Sequence, residues 1–227
     1  MAKIVDNLSI LEKKIAIAVK KARREEKPLV LLVSKKQSIL SIKKALECGY
    51  RHFGESYVQE AISKIQMLEN NNIIWHFIGP IQSNKVKSIA RYFTWVHSID
   101  RIKIVQKLNH ALKIQHMQPI NICIQVNISQ EPSKSGVMLD NVYDFIQEAV
   151  QYDYIRIRGI MVIPQYSEHK AQQRAIFQKV FDIFQQLQIT YPFLDTLSMG
   201  MSNDFESAIE MGSTLLRIGS RVFGERK

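Results

Sequence analysis

Eight times along this 227-residue chain, a short apolar run ends in a polar or glycine-bearing tip and gives way to a helical pattern. The runs are Leu29–Ser34, Arg51–Gly54, Ile74–Gly79, Trp95–Ser98, Ile120–Ile128, Ile155–Ile163, Thr196–Met201 and Leu215–Gly219. Between them lie helical patterns at Ile39–Glu47, Tyr57–Leu68, Asn84–Tyr92, Ile102–Leu112, Val142–Val150, Lys170–Leu187 and Phe205–Glu210. Near-continuous apolar runs separated by helices mark parallel strands buried on both faces. A further helical pattern precedes the first run, with Leu8, Leu11, Ile15, Ala18, Val19 and Ala22 at helical spacing.

Such alternation suits either an open doubly wound sheet or a closed barrel. No G-x-G-x-x-G turn follows the first run, as a nucleotide-binding doubly wound sheet would want. Eight strands without a Pro- or Gly-rich linker or a composition break favour the barrel. The expectation is an α/β fold, a single-domain (β/α)8 TIM barrel over residues 1–227 with an extra N-terminal helical segment at 1–27. Gly54, Gly79, Gly200 and Gly219 collect at strand tips, where backbone can approach a ligand closely. Gly136 falls in the loop after the fifth run, Gly159 inside the sixth, and Gly49 and Gly212 behind helices.

Composition narrows the class. Hydrophobic residues make up 46% of the chain, enough for a core, but no apolar run approaches membrane-spanning length. The N-terminus lacks an apolar signal core, so a cytoplasmic location without a membrane partner is expected. Cys48 and Cys123, far apart in apolar stretches, form neither a disulfide framework nor a metal site. The net charge of +10 admits either a nucleic-acid partner or an anionic ligand. Its densest stretch, Lys13 to Lys27, interleaves no aromatic residues for base stacking, and reads as the solvated face of an amphipathic helix. No nucleic-acid partner is expected.

Chemistry-bearing residues gather at the strand tips. Lys35 and Lys36 follow the first run, and a lysine partly desolvated at a barrel mouth can attack a carbonyl. Position alone separates neither lysine from the other, nor either from a solvated loop residue. After the seventh run, Ser202 or Asn203 can cap the next helix, and Asn203 with Glu206 has capping-box spacing. The amides of that helix, with Gly219 and Ser220 after the eighth run, could hold a phosphate, as loops after strands 7 and 8 of such barrels often do. Arg217 lies within an apolar strand and demands a partner. A phosphorylated carbonyl compound would satisfy lysine, phosphate pocket and arginine together.

The segments LLVSKK, HFGESYVQE, WHFIGPIQSNKVK, VHSID, QVNISQEPSKSG, RGIMVIP and LSMGMSNDFESAIEMGSTLLRIGSRVFG span nearly the whole chain. In them the chain resembles the pyridoxal phosphate homeostasis family, also called the YggS or proline synthetase co-transcribed family. The resemblance implies a barrel like the N-terminal domain of alanine racemase, with pyridoxal 5′-phosphate held as a Schiff base on Lys35. It implies that Ser202, Gly219 and Ser220 hold the phosphate, that Ser198 and Met199 lie near it, and that Arg217 faces the pyridine nitrogen. Lys134, in PSKSG, matches a second lysine discussed in the family as a transient acceptor of the cofactor. A solvated loop lysine is an equal reading of that residue. The chain departs from the family pattern at Lys36 and Gln37 (VSKKQ for VSKTK), at Ser56 (FGES for FGEN) and at Ser220 (RIGS for RIGT).

An arginine at the pyridine nitrogen cannot accept a proton, which weakens the ring as an electron sink. Racemases with such an arginine draw a second acid/base residue from an additional domain and a partner subunit. Only Ser220 to Lys227 follow the last run, which leaves no room for that domain. The expectation is therefore intracellular storage or delivery of pyridoxal phosphate by a monomer, with PLP-dependent apo-enzymes as recipients and no catalytic residue assigned. A PLP-dependent amino-acid racemase is the alternative.

Overall fold

The computed structural model describes residues 2–129 and 135–224. Helix α1 (Ala2–Lys21) precedes β1 (Leu29–Val33), α2 (Ile39–Glu47), β2 (His52–Glu55), α3 (Val58–Met67), β3 (Ile74–Phe77), α4 (Val86–Tyr92), β4 (Trp95–Ile99) and α5 (Ile102–Ile114). Then come β5 (Ile120–Asn127), β6 (Val137–Met138), α6 (Val142–Ala149), β7 (Ile155–Val162), α7 (Lys170–Thr190), β8 (Thr196–Ser198), α8 (Phe205–Glu210), β9 (Leu215–Ile218) and α9 (Ser220–Phe223).

All the strand pairs are parallel, in the order β4-β3-β2-β1-β9-β8-β7-β5, and β4 pairs back onto β5 to close an eight-stranded barrel. The expected barrel is present, and β2, one of its short expected strands, lies in register between β1 and β3. The ninth strand, β6, lengthens the sheet beside the end of β5 (Val126↔Val137, Asn127↔Met138). Two residues are too few to show a periodicity, so this strand was invisible in the sequence. Several strands end a residue or two before their apolar runs, and the largest difference is at β8, which ends at Ser198, not Met201, because residues 199–201 already turn toward α8.

The apolar stripe of α1 behaves as its spacing requires. Leu8, Leu11, Ile15, Ala18 and Val19 are buried against the barrel's closing elements, while Lys13 and Lys20 face solvent. Asn7 Nδ2 donates to Val222 O at 2.9 Å, and Arg24 Nη1 donates to Ile209 O and Ser213 O at 3.2 and 2.6 Å. A cation over the last carbonyls of α8 complements the helix dipole. Cys123 is buried but Cys48, at the end of α2, is exposed, in contrast to the apolar setting expected of it. The backbone turns out of the helix there, so its apolar sequence neighbours do not cover it. Among the described residues, no helix is long and apolar enough to cross a membrane, and no three metal-binding side chains converge.

Candidate functional site

The carboxyl ends of β1, β7, β8 and β9 border a cavity of about 270 Å³. Ser202, Arg217, Gly219 and Ser220, four of the residues singled out in the sequence, line it together with Val33. Lys35 is half-buried in the turn after β1. It stands two residues beyond Val33, which lines the cavity, but does not itself line it. Lys36 is exposed and adopts a left-handed φ of 61°, so the two adjacent lysines have different settings. Ser198 and Met199 do not line the cavity. Ser198 lies behind Arg217, and Met199 is fully buried in the apolar core. Lys134 lies outside the described residues.

The two loops of the proposed phosphate cradle are tied together. Ser202 Oγ accepts long hydrogen bonds from the amides of Gly219 and Arg221, both 3.4 Å, so it caps α9 rather than the helix that follows it in sequence. Arg221, unremarked in the sequence, donates through Nε to Ser202 O at 2.6 Å and lies over the Phe205 ring at 5.5 Å. The Asn203–Glu206 capping box is absent. Asp204 takes the N-cap position of α8, and its Oδ1 reaches back to the Met201 amide at 2.5 Å. Glu206 instead accepts from Lys170 Nζ at 3.0 Å, because α7 packs alongside. Burial holds the Asp204 carboxyl above the usual carboxylate range.

Arg217 is the floor of the cavity and is buried. Its Nη1 donates to Ser198 O and Ser198 Oγ at 2.7 and 2.8 Å, and its Nη2 to Val162 O at 2.8 Å. Among the described residues no carboxylate forms an ion pair with it, and burial lowers its pKa to about 10 against the opposing pull of Asp204. A guanidinium satisfied by neutral oxygens keeps its charge for whatever enters the cavity.

Behind the β1 turn, α3 supplies a clamp. Lys64 Nζ donates to Ser34 O (2.7 Å), Glu55 Oε1 (2.8 Å) and Glu60 Oε1 (2.6 Å), and the Lys36 amide donates to the same Glu60 oxygen at 2.5 Å. Ser34 Oγ donates to Glu55 Oε1 at 2.6 Å. The backbone is thus pinned on both sides of Lys35. Burial pushes the Glu55 carboxyl up, opposed by its bonds to Lys64 and Ser34. Lys64→Met strands this buried carboxylate. It is expected to lower stability by about 3 kcal/mol or more in urea unfolding, with part of the loss recovered when Glu55→Gln is added. A single variant as stable as wild type would contradict the clamp.

Three histidines fill the barrel beneath Arg217. His52 Nδ1 and His76 Nε2 are 2.9 Å apart, His76 Nδ1 and His97 Nε2 are 2.9 Å apart, and His97 Nδ1 lies 3.1 Å from Ser198 Oγ. Sequence reasoning passed over them, although HFG, WHF and VHS place a histidine in each of three consecutive strands. Burial, then the charge of Arg217, lowers His97 to about 3, and burial with its histidine neighbours holds His76 well below its ordinary value. In the unfolded chain both titrate near 6.5, so below that pH the unfolded state binds protons that the folded state refuses. This contribution to stability is complete above about pH 6.5 and is lost as pH falls toward about 3. Denaturant midpoints should fall between about pH 7.5 and about pH 5, and fall less for His97→Gln. Comparison with the variant cancels the opposing trend of Glu55 and Asp204.

The alanine racemase N-terminal domain family matches residues 7–227. The pyridoxal phosphate homeostasis protein of Haemophilus influenzae is 41% identical over 228 residues, which cover 98% of this chain and 96% of that protein. PipY of Synechococcus elongatus PCC7942, solved with PLP bound, superposes with a TM-score of 0.81 at 31% identity, over 92% of this chain and 100% of that one. Alanine racemase of Clostridium difficile 630 shares the fold (TM-score 0.74, 14% identity), but all of this chain matches only 57% of that one.

Proposed function

This chain belongs to the alanine racemase N-terminal domain family and, within it, to the pyridoxal phosphate homeostasis proteins, and we propose that it binds pyridoxal 5′-phosphate for storage or delivery in the cell. The observation that carries this reading is Arg217, a buried guanidinium with no carboxylate ion pair among the described residues, on the floor of a cavity that Val33, two residues before Lys35, also lines. The residues present fit that cofactor. Lys35 offers an amine for the Schiff base, Ser220 offers an amide and a hydroxyl for the phosphate beside the side-chain-free backbone of Gly219, and Ser202 holds that loop by accepting from the Gly219 and Arg221 amides. Arg217 presents only donors, so it suits an unprotonated ring nitrogen. When bound, the cofactor supplies an electrophilic carbon and an electron-withdrawing ring.

The chain's own groups argue against turnover. Racemisation needs an acid/base group on each face of the substrate carbon. Beyond Lys35, the titratable side chains around the described cavity beside Arg217 are Asp204, bonded to the Met201 amide, and Tyr166, which is 68% exposed and bonded to Glu168 Oε1 at 3.3 Å. Neither is built to deliver a proton to a buried carbon. We place the protein in the cytoplasm as a monomer, with PLP-dependent apo-enzymes as recipients of its cofactor.

Uptake of pyridoxal phosphate by unloaded protein, followed by absorbance, tests the reading. Saturable yellow colour is expected, and colourless protein overturns it. Chiral assays over an amino-acid panel should not exceed a free-cofactor blank. Racemisation that disappears in Tyr166→Phe would establish the enzyme instead.

A further inference from the structure

The histidines under the cavity form a directed chain whose polarity follows from proton accounting. In the cyclic strand order, β4 and β8 are separated by β5 and β7, so the His97–Ser198 hydrogen bond crosses the barrel interior. His76, His97 and Ser198 are fully buried, and only His52 is partly exposed, at the start of β2. A guanidinium only donates. Arg217 Nη1 therefore gives a proton to Ser198 Oγ, and the serine's single hydroxyl hydrogen is left for its other described partner, His97 Nδ1. A neutral imidazole that accepts at Nδ1 carries its hydrogen on Nε2. His97 then donates to His76 Nδ1, and His76 donates from Nε2 to His52 Nδ1. Every link is satisfied in this direction. In the reverse direction the serine hydroxyl would be left without a described acceptor at a site closed to water.

We propose that His97 is a positioning residue for Arg217, and that the His52–His76–His97–Ser198 relay holds the guanidinium in place as a donor aimed at the ligand's ring nitrogen. The ligand half of this inference rests on the pyridoxal phosphate reading above. Each donation polarises the next acceptor, so the chain strengthens the hold on Arg217 without supplying a negative charge to neutralise it. A carboxylate in place of Ser198 would hold the arginine as firmly, but would spend its charge. The relay is thus suited to a ligand nitrogen that bears a lone pair, in preference to one that bears a proton. Burial, which keeps His76 and His97 uncharged, is consistent with this arrangement.

The first test uses unloaded protein labelled with nitrogen-15 in histidine. Long-range proton–nitrogen correlation should show His76 and His97 as neutral rings, protonated at Nε2 and bare at Nδ1, from about pH 7.5 to about pH 5. A hydrogen on Nδ1 of either ring, or an imidazolium, overturns the relay. The second test compares His97→Gln with His97→Leu. A glutamine amide can accept from Ser198 and donate to His76, so its affinity for pyridoxal phosphate should stay within about threefold of wild type. Leucine breaks the link, and up to about tenfold weaker binding with a shifted cofactor absorption is expected, the upper end for one neutral hydrogen bond. Wild-type binding and spectrum in a folded His97→Leu overturn the positioning role. Should His97→Leu fail to fold, Ser198→Ala removes the same link, and unchanged binding and spectrum there overturn the role equally. If the wild type shows the expected tautomers but takes up no pyridoxal phosphate, the functional reading and the relay's role toward that ligand both fall.

Discussion

Lys35→Ala is expected to abolish covalent retention of pyridoxal phosphate. After borohydride reduction, intact-protein mass analysis should find the cofactor's mass on nearly all of the loaded wild type and on none of the variant. The loss should be complete because, among the described residues, neither neighbouring lysine is placed to substitute. Lys36 is exposed, in a left-handed turn whose amide is tied to Glu60. Lys64 spends its ammonium on Ser34 O, Glu55 and Glu60 behind the strand. Weaker, non-covalent binding by the Ser202–Gly219–Ser220 cradle and Arg217 should persist, and dialysis should remove it. Label that survives in Lys35→Ala would move the linkage to another lysine, which peptide mapping would identify.

Gly159→Ala is expected to be the most damaging single change to the fold. Between the pairs Ile122↔Ile157 and Cys123↔Gly159, β7 carries one residue more than β5, a bulge at Arg158. The extra residue turns out to the surface, where its guanidinium pairs with Asp195 and lies 5.3 Å from the centre of the Trp95 ring. Gly159 then sits so close to β8 that an added Cβ would lie 1.8 Å from Thr196 O. That obstacle is backbone. Relief requires β8 to move, and β8 has only three residues, ending in Ser198, which holds Arg217. A loss of more than about 4 kcal/mol is expected, seen as insoluble protein or a large drop in urea midpoint. Gly49→Ala is the control. No atom lies within 4 Å of its added Cβ, and only its positive φ is strained, at a cost of about 1 kcal/mol. If Gly159→Ala unfolds at the wild-type midpoint, the bulge is misplaced.

Much of the architecture was legible because its signals are local. Parallel strands covered by helices must be apolar on both faces, and so appear as runs such as Leu29–Val33. Helices bury one stripe, as α1 does with Leu8, Leu11 and Ile15. Strand tips that bear Lys35, Ser202 and Gly219 could be picked out because barrels place their chemistry there. The capping of α8 misled for the opposite reason. Asn203–Glu206 has the right spacing, but Lys170, from a different helix, claims the glutamate, and Asp204 turns its carboxylate back to Met201. The clamp and the relay left only fragments in the sequence: a lysine in an ordinary helical pattern, and single histidines in three separate runs.

By itself, then, the sequence determined the eight βα units, the lysine at the first tip and the paired polar loops after the last two strands, since periodicity and turn chemistry act over a few residues. Tertiary structure alone decided which polar side chains meet. His97 reaches Ser198, 101 positions away, only because β4 closes onto β5 and turns both residues into one lumen. Arg217 owes its hold to Ser198 and to a carbonyl of β7, and no local pattern encodes such a contact, because barrel closure and strand order set it.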